Sequence, residues 1–266
     1  MIRSIGCSLL VLSATIFGSG CAAESSETAD DSADLVGGQR DQSFAAGGYL
    51  SYAQKSTDAP AVACNATLIA PRVVVTAAHC VLRHQGTAGW SFGVGDVGRT
   101  AAHVTEVHVH PQFHAEAQGS FDVKHALRMF DVAYLILDRA VTGVRPAAIP
   151  TTEPEMGDAV HAIGYHGATQ AARMGTPARI VLPVDLAGDP IFEVHPSGKS
   201  ALCIADGDEG SPVFAGTNDA PVLVGFFVGS VTQGFTDCRK GTQFLDGYES
   251  AYGYRDFYAK AIAAGK

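Results

Sequence analysis

The sequence predicts an all-β fold of many short strands, closed by a C-terminal helix. Three observations lead there. Glycine supplies 30 of the 266 residues, so tight turns are frequent. Val, Thr and aromatic residues recur in short runs instead of long periodic stretches. Sustained helical spacing over Tyr254, Phe257, Tyr258 and Ile262 sits at the very end, with no Gly or Pro before Gly265. Hydrophobic residues make up 47% of the chain, enough for one globular unit of this length. A net charge of −9 argues against a nucleic-acid partner.

Residues 1–20 read as a leader. Arg3 is its basic start, and Ile5 to Phe17 is an apolar run too short to span a bilayer stably. Gly18-Ser19-Gly20-Cys21 resembles a bacterial lipoprotein signal, which implies lipid on the Cys21 thiol. Gly18 stands where that signal usually has an aliphatic residue, and an ordinary secretory leader is the alternative. Residues 21–34 are acidic and polar, the composition of a disordered tether with an r.m.s. span of about 20 Å. Residues 35–266 form the domain.

The strands follow in order. Thr67-Leu68-Ile69 and Arg72 to Thr76 are apolar runs with Pro71 at the turn between them. Val104 to His110 alternates apolar and polar residues like a half-buried strand. Val132 to Leu137 is nearly all apolar and is expected to be buried on both faces. Ala159 to Gly164 and Val222 to Val228 read likewise.

Three blocks carry chemistry: Thr76-Ala77-Ala78-His79-Cys80, Asp131-Val132-Ala133, and Gly207-Asp208-Glu209-Gly210-Ser211-Pro212. In this order they resemble the trypsin/chymotrypsin family of serine proteases. Leu35-Val36-Gly37-Gly38, Ala63 to Ile69, Val107 to Pro111 and Ile163 to Gly167 extend the likeness over about residues 35–264. The resemblance implies a double six-stranded antiparallel β-barrel with a C-terminal helix.

It also implies roles. His79 is the expected general base and Asp131 its orienting partner, with backbone amides of Gly207 and residue 209 as the oxyanion hole. Glu209 stands where the family has its nucleophilic Ser. A carboxylate attacks an unactivated amide poorly and has no proton to give up at neutral pH. A second anion beside His79 would favour the imidazolium, which cannot act as a base. The carboxylate is also placed to fold into the oxyanion hole. Ser211 is the alternative nucleophile, but shifting the frame by two residues loses the Gly-Asp before it and puts Pro212 directly after it.

Other positions depart from the family. Gly225 to Ser230 lacks the Ser of the usual Ser-Trp-Gly strand, and Ile204-Ala205-Asp206 is an insertion. No residue clearly supplies a trypsin-type Asp in the specificity pocket. Activation would need a cut between Asp34 and Leu35, so that the Leu35 amine pairs with Asp208. Asp34 is not a tryptic site.

Six cysteines are present. With Cys7 in the leader and Cys21 assigned to lipid, four remain, and four allow three connectivities. The resemblance selects Cys64–Cys80 and Cys203–Cys238. The histidines at 103, 108, 110 and 114 cluster, with His108 and His110 on one face of the expected strand. They read as the ordinary strand of the family, and Asp206, Asp208 and Glu209 lack calcium-loop spacing, so no metal and no cofactor is expected. The sequon at Asn65 falls in an expected buried strand. The expectation is an exported protease homologue, a cell-envelope lipoprotein (outer membrane or periplasm) or secreted. Hydrolysis is lost or impaired, and the domain binds a protein or peptide as a monomer. It touches membrane only through Cys21. The alternative is an active serine endopeptidase using Ser211.

Overall fold

The computed structural model describes residues 39–55, 61–84, 86–113, 129–165, 173–186, 188–197, 207–230 and 246–266. These all belong to one compact unit. The expected leader, Cys21, the tether, Leu35, His114, Asp206, Cys203 and Cys238 lie outside the described residues.

Six strands close the first barrel: β2 (Gly47–Tyr52), β3 (Ala61–Ala70), β4 (Val73–Thr76), β5 (Trp90–Val94), β6 (Thr100–Val109) and β7 (Ala133–Leu137). Their order round the barrel is β2-β3-β4-β7-β6-β5, and β2 pairs with β5 to close it. The two most apolar segments, β4 and β7, are buried along their whole length and pair with each other. Each fully buried Val or Leu there contributes about 1.5–3 kcal/mol. The helix α1 (Ala78–Leu82) leaves β4 after a single residue.

The second barrel uses β8 (Ala159–Gly164), β9 (Met174–Leu186), β10 (Asp189–Pro196), β11 (Pro212–Thr217), β12 (Ala220–Ser230) and β13 (Asp246–Ser250). Its order is β9-β10-β13-β12-β11-β8, closed by β8 on β9. The short β1 (Gln39–Arg40) adds to β9 from outside. All pairings between these strands are antiparallel. The double barrel expected from the sequence is therefore present.

The C-terminal helix α2 (Arg255–Ala264) follows β13 but buries Tyr258 and Ala261 in the core of the first barrel. Phe214, Leu223 and Phe226 of the second barrel join that same core, while Val160, Ile180, Phe192, Val213 and Phe227 form a separate core inside the second barrel.

Ahead of β2, the segment from Asp41 to Gly47 is held by a buried cation. Arg173 donates to the carbonyls of Asp41 (3.0 Å), Ser43 (2.5 Å), Phe44 (3.2 Å) and Gly47 (2.9 Å). The planar guanidinium can satisfy four acceptors at once, which a Lys ammonium cannot. Asp41 also pairs with His161 on β8.

Candidate active site

His79 sits in the first turn of α1, where β4 ends, and is 5% exposed. Asp131 is fully buried two residues ahead of β7, the strand that pairs with β4. That pairing brings the two residues together across 52 positions of sequence. The Asp131 carboxylate accepts the His79 backbone N–H at Oδ1 (2.8 Å) and lies 2.5 Å from Nδ1 with Oδ2. The Ala78 N–H donates to the Asp131 carbonyl at 3.2 Å. A ring held at Nδ1 by a carboxylate turns Nε2 toward the other side, the arrangement a general base needs.

The turn from Gly207 to Ser211 is strapped to both barrels. Asn65 on β3 donates its backbone N–H to the Glu209 carbonyl (2.7 Å), and its side chain donates to the Gly207 carbonyl (3.2 Å). From β12, Phe227 accepts the Gly210 N–H (2.8 Å) and donates its own N–H to the Ser211 carbonyl (2.9 Å). Gly210 has φ of +80°, and a Cβ there would lie 2.1 Å from the Asn65 carbonyl oxygen. Only glycine fits that backbone at that distance.

Glu209 is 8% exposed. Its Oε2 accepts the Gly207 backbone N–H at 2.8 Å, and its Oε1 lies 3.9 Å from an Arg83 guanidinium nitrogen. Arg83 is more than half exposed, so this long ion pair contributes little. No ion pair joins Glu209 to His79 among the described residues. The carboxylate is engaged with the Gly207 amide by a charge-assisted hydrogen bond, the orientation expected of a side chain folded into the oxyanion hole. Ser211 is 5% exposed, with an Oγ that has no hydrogen-bond partner. Asp208 is fully buried and its carbonyl accepts the Ser211 N–H at 2.9 Å.

Cys64 and Cys80 form a disulfide, joining β3 to α1 directly beside His79. His79 Nε2 lies 3.9 Å from the Cys80 sulfur. Cys64, His79 and Cys80 bring their ligand atoms within 4.8 Å of one another. Sulfurs bonded to each other offer no thiolate, so this set does not suit a metal.

β6 stops at Val109, so His108 lies on the strand and His110 just past it. His108 pairs with Glu106 at 2.9 Å and stacks on Tyr134. His110 sits among Phe130, Tyr254 and Phe257, and burial pushes its ring below the ordinary histidine value. Tyr134 and Phe257 pack against each other, so the two histidine rings meet one aromatic cluster, and neither is placed with a third ligand among the described residues.

Three residues shape the site that had no assigned part in it from the sequence: Asn65, read only as a sequon within a buried strand, Asp189 and Glu249. The Asn65 side chain, fully buried, also accepts the Tyr165 N–H (2.7 Å) and donates to the Tyr165 carbonyl (3.1 Å). Asp189 on β10 accepts the Phe130 N–H at 2.8 Å. Glu249 on β13 accepts the Asp131 N–H at 2.9 Å. For Asn65 the available signal was its place in a strand that reads as buried; the segments of Asp189 and Glu249 carried no strand reading.

Two antiparallel barrels meeting at a buried His–Asp pair, with a glycine-rich turn strapped beside it, define the protease-type double-barrel class. A family model described as Trypsin matches residues 36–257. The chain belongs to the trypsin family.

Proposed function

We propose that this trypsin-like serine protease homologue has lost or impaired hydrolysis and works as a binding module for a protein or peptide. The observation that carries the reading is the bond from the Gly207 N–H to the Glu209 carboxylate, 2.8 Å long. The motif places Glu209 in the slot of the nucleophilic Ser and Gly207 in the oxyanion hole. A carboxylate there cannot acylate, and it occupies the amide that a tetrahedral oxyanion requires.

One observation favours the second reading, an active endopeptidase using Ser211. Its Oγ has no hydrogen-bond partner and so is not committed elsewhere. Against it, no hydrogen bond links that hydroxyl to His79, and the main chain of Ser211 is tied on both sides inside the turn.

The leader and Cys21 support export, as a cell-envelope lipoprotein (outer membrane or periplasm) or a secreted protein. Membrane contact is then through the lipid alone, and the domain is a monomer. A fluorophosphonate probe tests the enzymatic question on the purified mature protein. No covalent adduct is expected. An adduct mapped to Ser211 makes the protein an active serine hydrolase.

A further inference from the structure

Behind the His79–Asp131 pair lie two carboxyl groups that the catalytic motifs leave unassigned. Glu249 on β13 is fully buried, and Asp189 at the start of β10 is 2% exposed. The two strands pair with Ile191 opposite Glu249. Asp189 lies two residues before Ile191, hence on the same face of β10.

Together they grip two consecutive amides. Asp189 Oδ2 accepts the Phe130 N–H at 2.8 Å, and Glu249 Oε1 accepts the Asp131 N–H at 2.9 Å. Asp189 Oδ1 takes the hydroxyl of Tyr254, the residue just before α2. Phe130 has φ of +56°, the left-handed region that a bulky residue occupies only when its surroundings hold it there. The paired carboxyls supply that hold.

The charges do not balance if all three acids are ionised. Glu249 faces Asp131, Asp189, Tyr254 and Tyr258, and His110 lies beyond Asp189. None of these supplies a cation to Glu249, since burial drives His110 toward its neutral form and both tyrosines are pushed up by burial. Of the cationic side chains nearby, Lys260 acts on His110 and His79 is taken up by Asp131, while the groups acting on Glu249 are Asp189 and Asp131. An unpaired buried carboxylate is costly enough that the group takes up a proton instead. The second oxygen of Glu249 has no donor to accept from, and the Glu249 carboxyl group adjoins that of Asp189. A proton on Glu249 turns that contact into a hydrogen bond. Burial first, then the Asp189 charge and its bond, then the Asp131 charge, hold Glu249 well above its ordinary 4.5; only the Asp131 N–H opposes them.

We propose that Glu249 is a positioning residue: as a neutral acid sharing its proton with Asp189, it clamps the Phe130–Asp131 turn and sets the direction from which Asp131 meets His79. The inference does not depend on whether Glu209 permits hydrolysis.

Infrared and NMR spectra of the full-length protein test it. The wild type shows a carboxylic-acid C=O stretch at neutral pH, and Glu249→Gln loses it. The proton between His79 Nδ1 and Asp131 keeps its NMR position in Glu249→Gln, because the amide still accepts from Asp131 and donates to Asp189. In Glu249→Leu that resonance moves or broadens away. The proposal is overturned by a wild type without the acid band, by a band that survives in Glu249→Gln, or by a resonance that Glu249→Leu leaves in place. If Glu249→Leu does not fold, the infrared band and the Gln variant still decide.

Discussion

Gly207 donates its backbone N–H to Oε2 of Glu209, two residues along the same turn, at 2.8 Å. Replacing Glu209 therefore does two things: it supplies a different side chain and it frees an amide. In Glu209→Ser, hydrolysis of a casein substrate is expected to rise above the wild type. The rise is expected to be largest in protein processed to begin at Leu35. Glu209→Gln, which keeps the shape and an acceptor oxygen, is expected to give no gain. Wild-type protein cleaving casein as fast as Glu209→Ser would refute the loss of hydrolysis.

Asn65 ties β3 to Tyr165 and to the Gly207 turn with one side chain. Asn65→Ala removes the acceptor of the Tyr165 N–H, and Tyr165 is 1% exposed. A buried donor left without a partner costs about 1–3 kcal/mol, and two donated bonds go with it. The expected loss in urea unfolding is about 2–4 kcal/mol. Asn65→Asp is expected to cost at least as much, since it keeps the acceptor but adds a buried charge. A change within experimental error of zero would show that the bridge carries no stability.

The Cys64–Cys80 disulfide closes a loop over a sequence separation of 16. A loop of that size restricts the unfolded chain by about 3 kcal/mol. Paired Cys64→Ala and Cys80→Ala substitutions are expected to lower stability by about that amount in denaturant titration. Because Cys80 adjoins His79, the same variant is expected to broaden the His79 ring signals in NMR spectra.

Two acids bend the pH profile of stability in opposite senses. Glu249 keeps its proton in the folded protein above the ordinary 4.5, where the unfolded chain has already lost it. Its contribution is therefore full below 4.5 and declines as pH rises from there toward the folded value. Burial pushes Asp41 upward, but hydrogen bonds from His161 and Ser43 outweigh it and hold the acid well below its ordinary 3.8. Its contribution is present above 3.8 and is lost as pH falls below that. Asp41 is partly open to solvent, so its share is the smaller. Thermal melts are expected to show falling stability from 4.5 toward neutrality, and Glu249→Gln is expected to flatten that slope. An unchanged slope in Glu249→Gln would remove Glu249 as its source.

Short apolar runs such as Val73 to Thr76 and Ala133 to Leu137 were readable as strands because burial on both faces leaves a near-continuous apolar signature. The spacing of Tyr254, Phe257, Tyr258 and Ile262 marked α2 in the same way. His79, Asp131 and the turn at Glu209 were readable because each lies in a local block with its own residue pattern. A strand pattern does not state its partners, however. The pairing of β4 with β7 brings His79 to Asp131, and that of β10 with β13 brings Asp189 to Glu249.

What the sequence by itself determined is the alphabet of the site: a histidine, an aspartate and, in the glycine-rich turn, a glutamate. Only the tertiary structure decided where the Glu209 carboxylate points, that Asn65 is a bridge between the barrels, and that Glu249 and Asp189 stand behind Asp131. The physical reason is range. Strand periodicity and turn chemistry are written over a few neighbouring residues, whereas a hydrogen bond across 118 positions, such as that from Asp131 to Glu249, exists only once the barrels have closed.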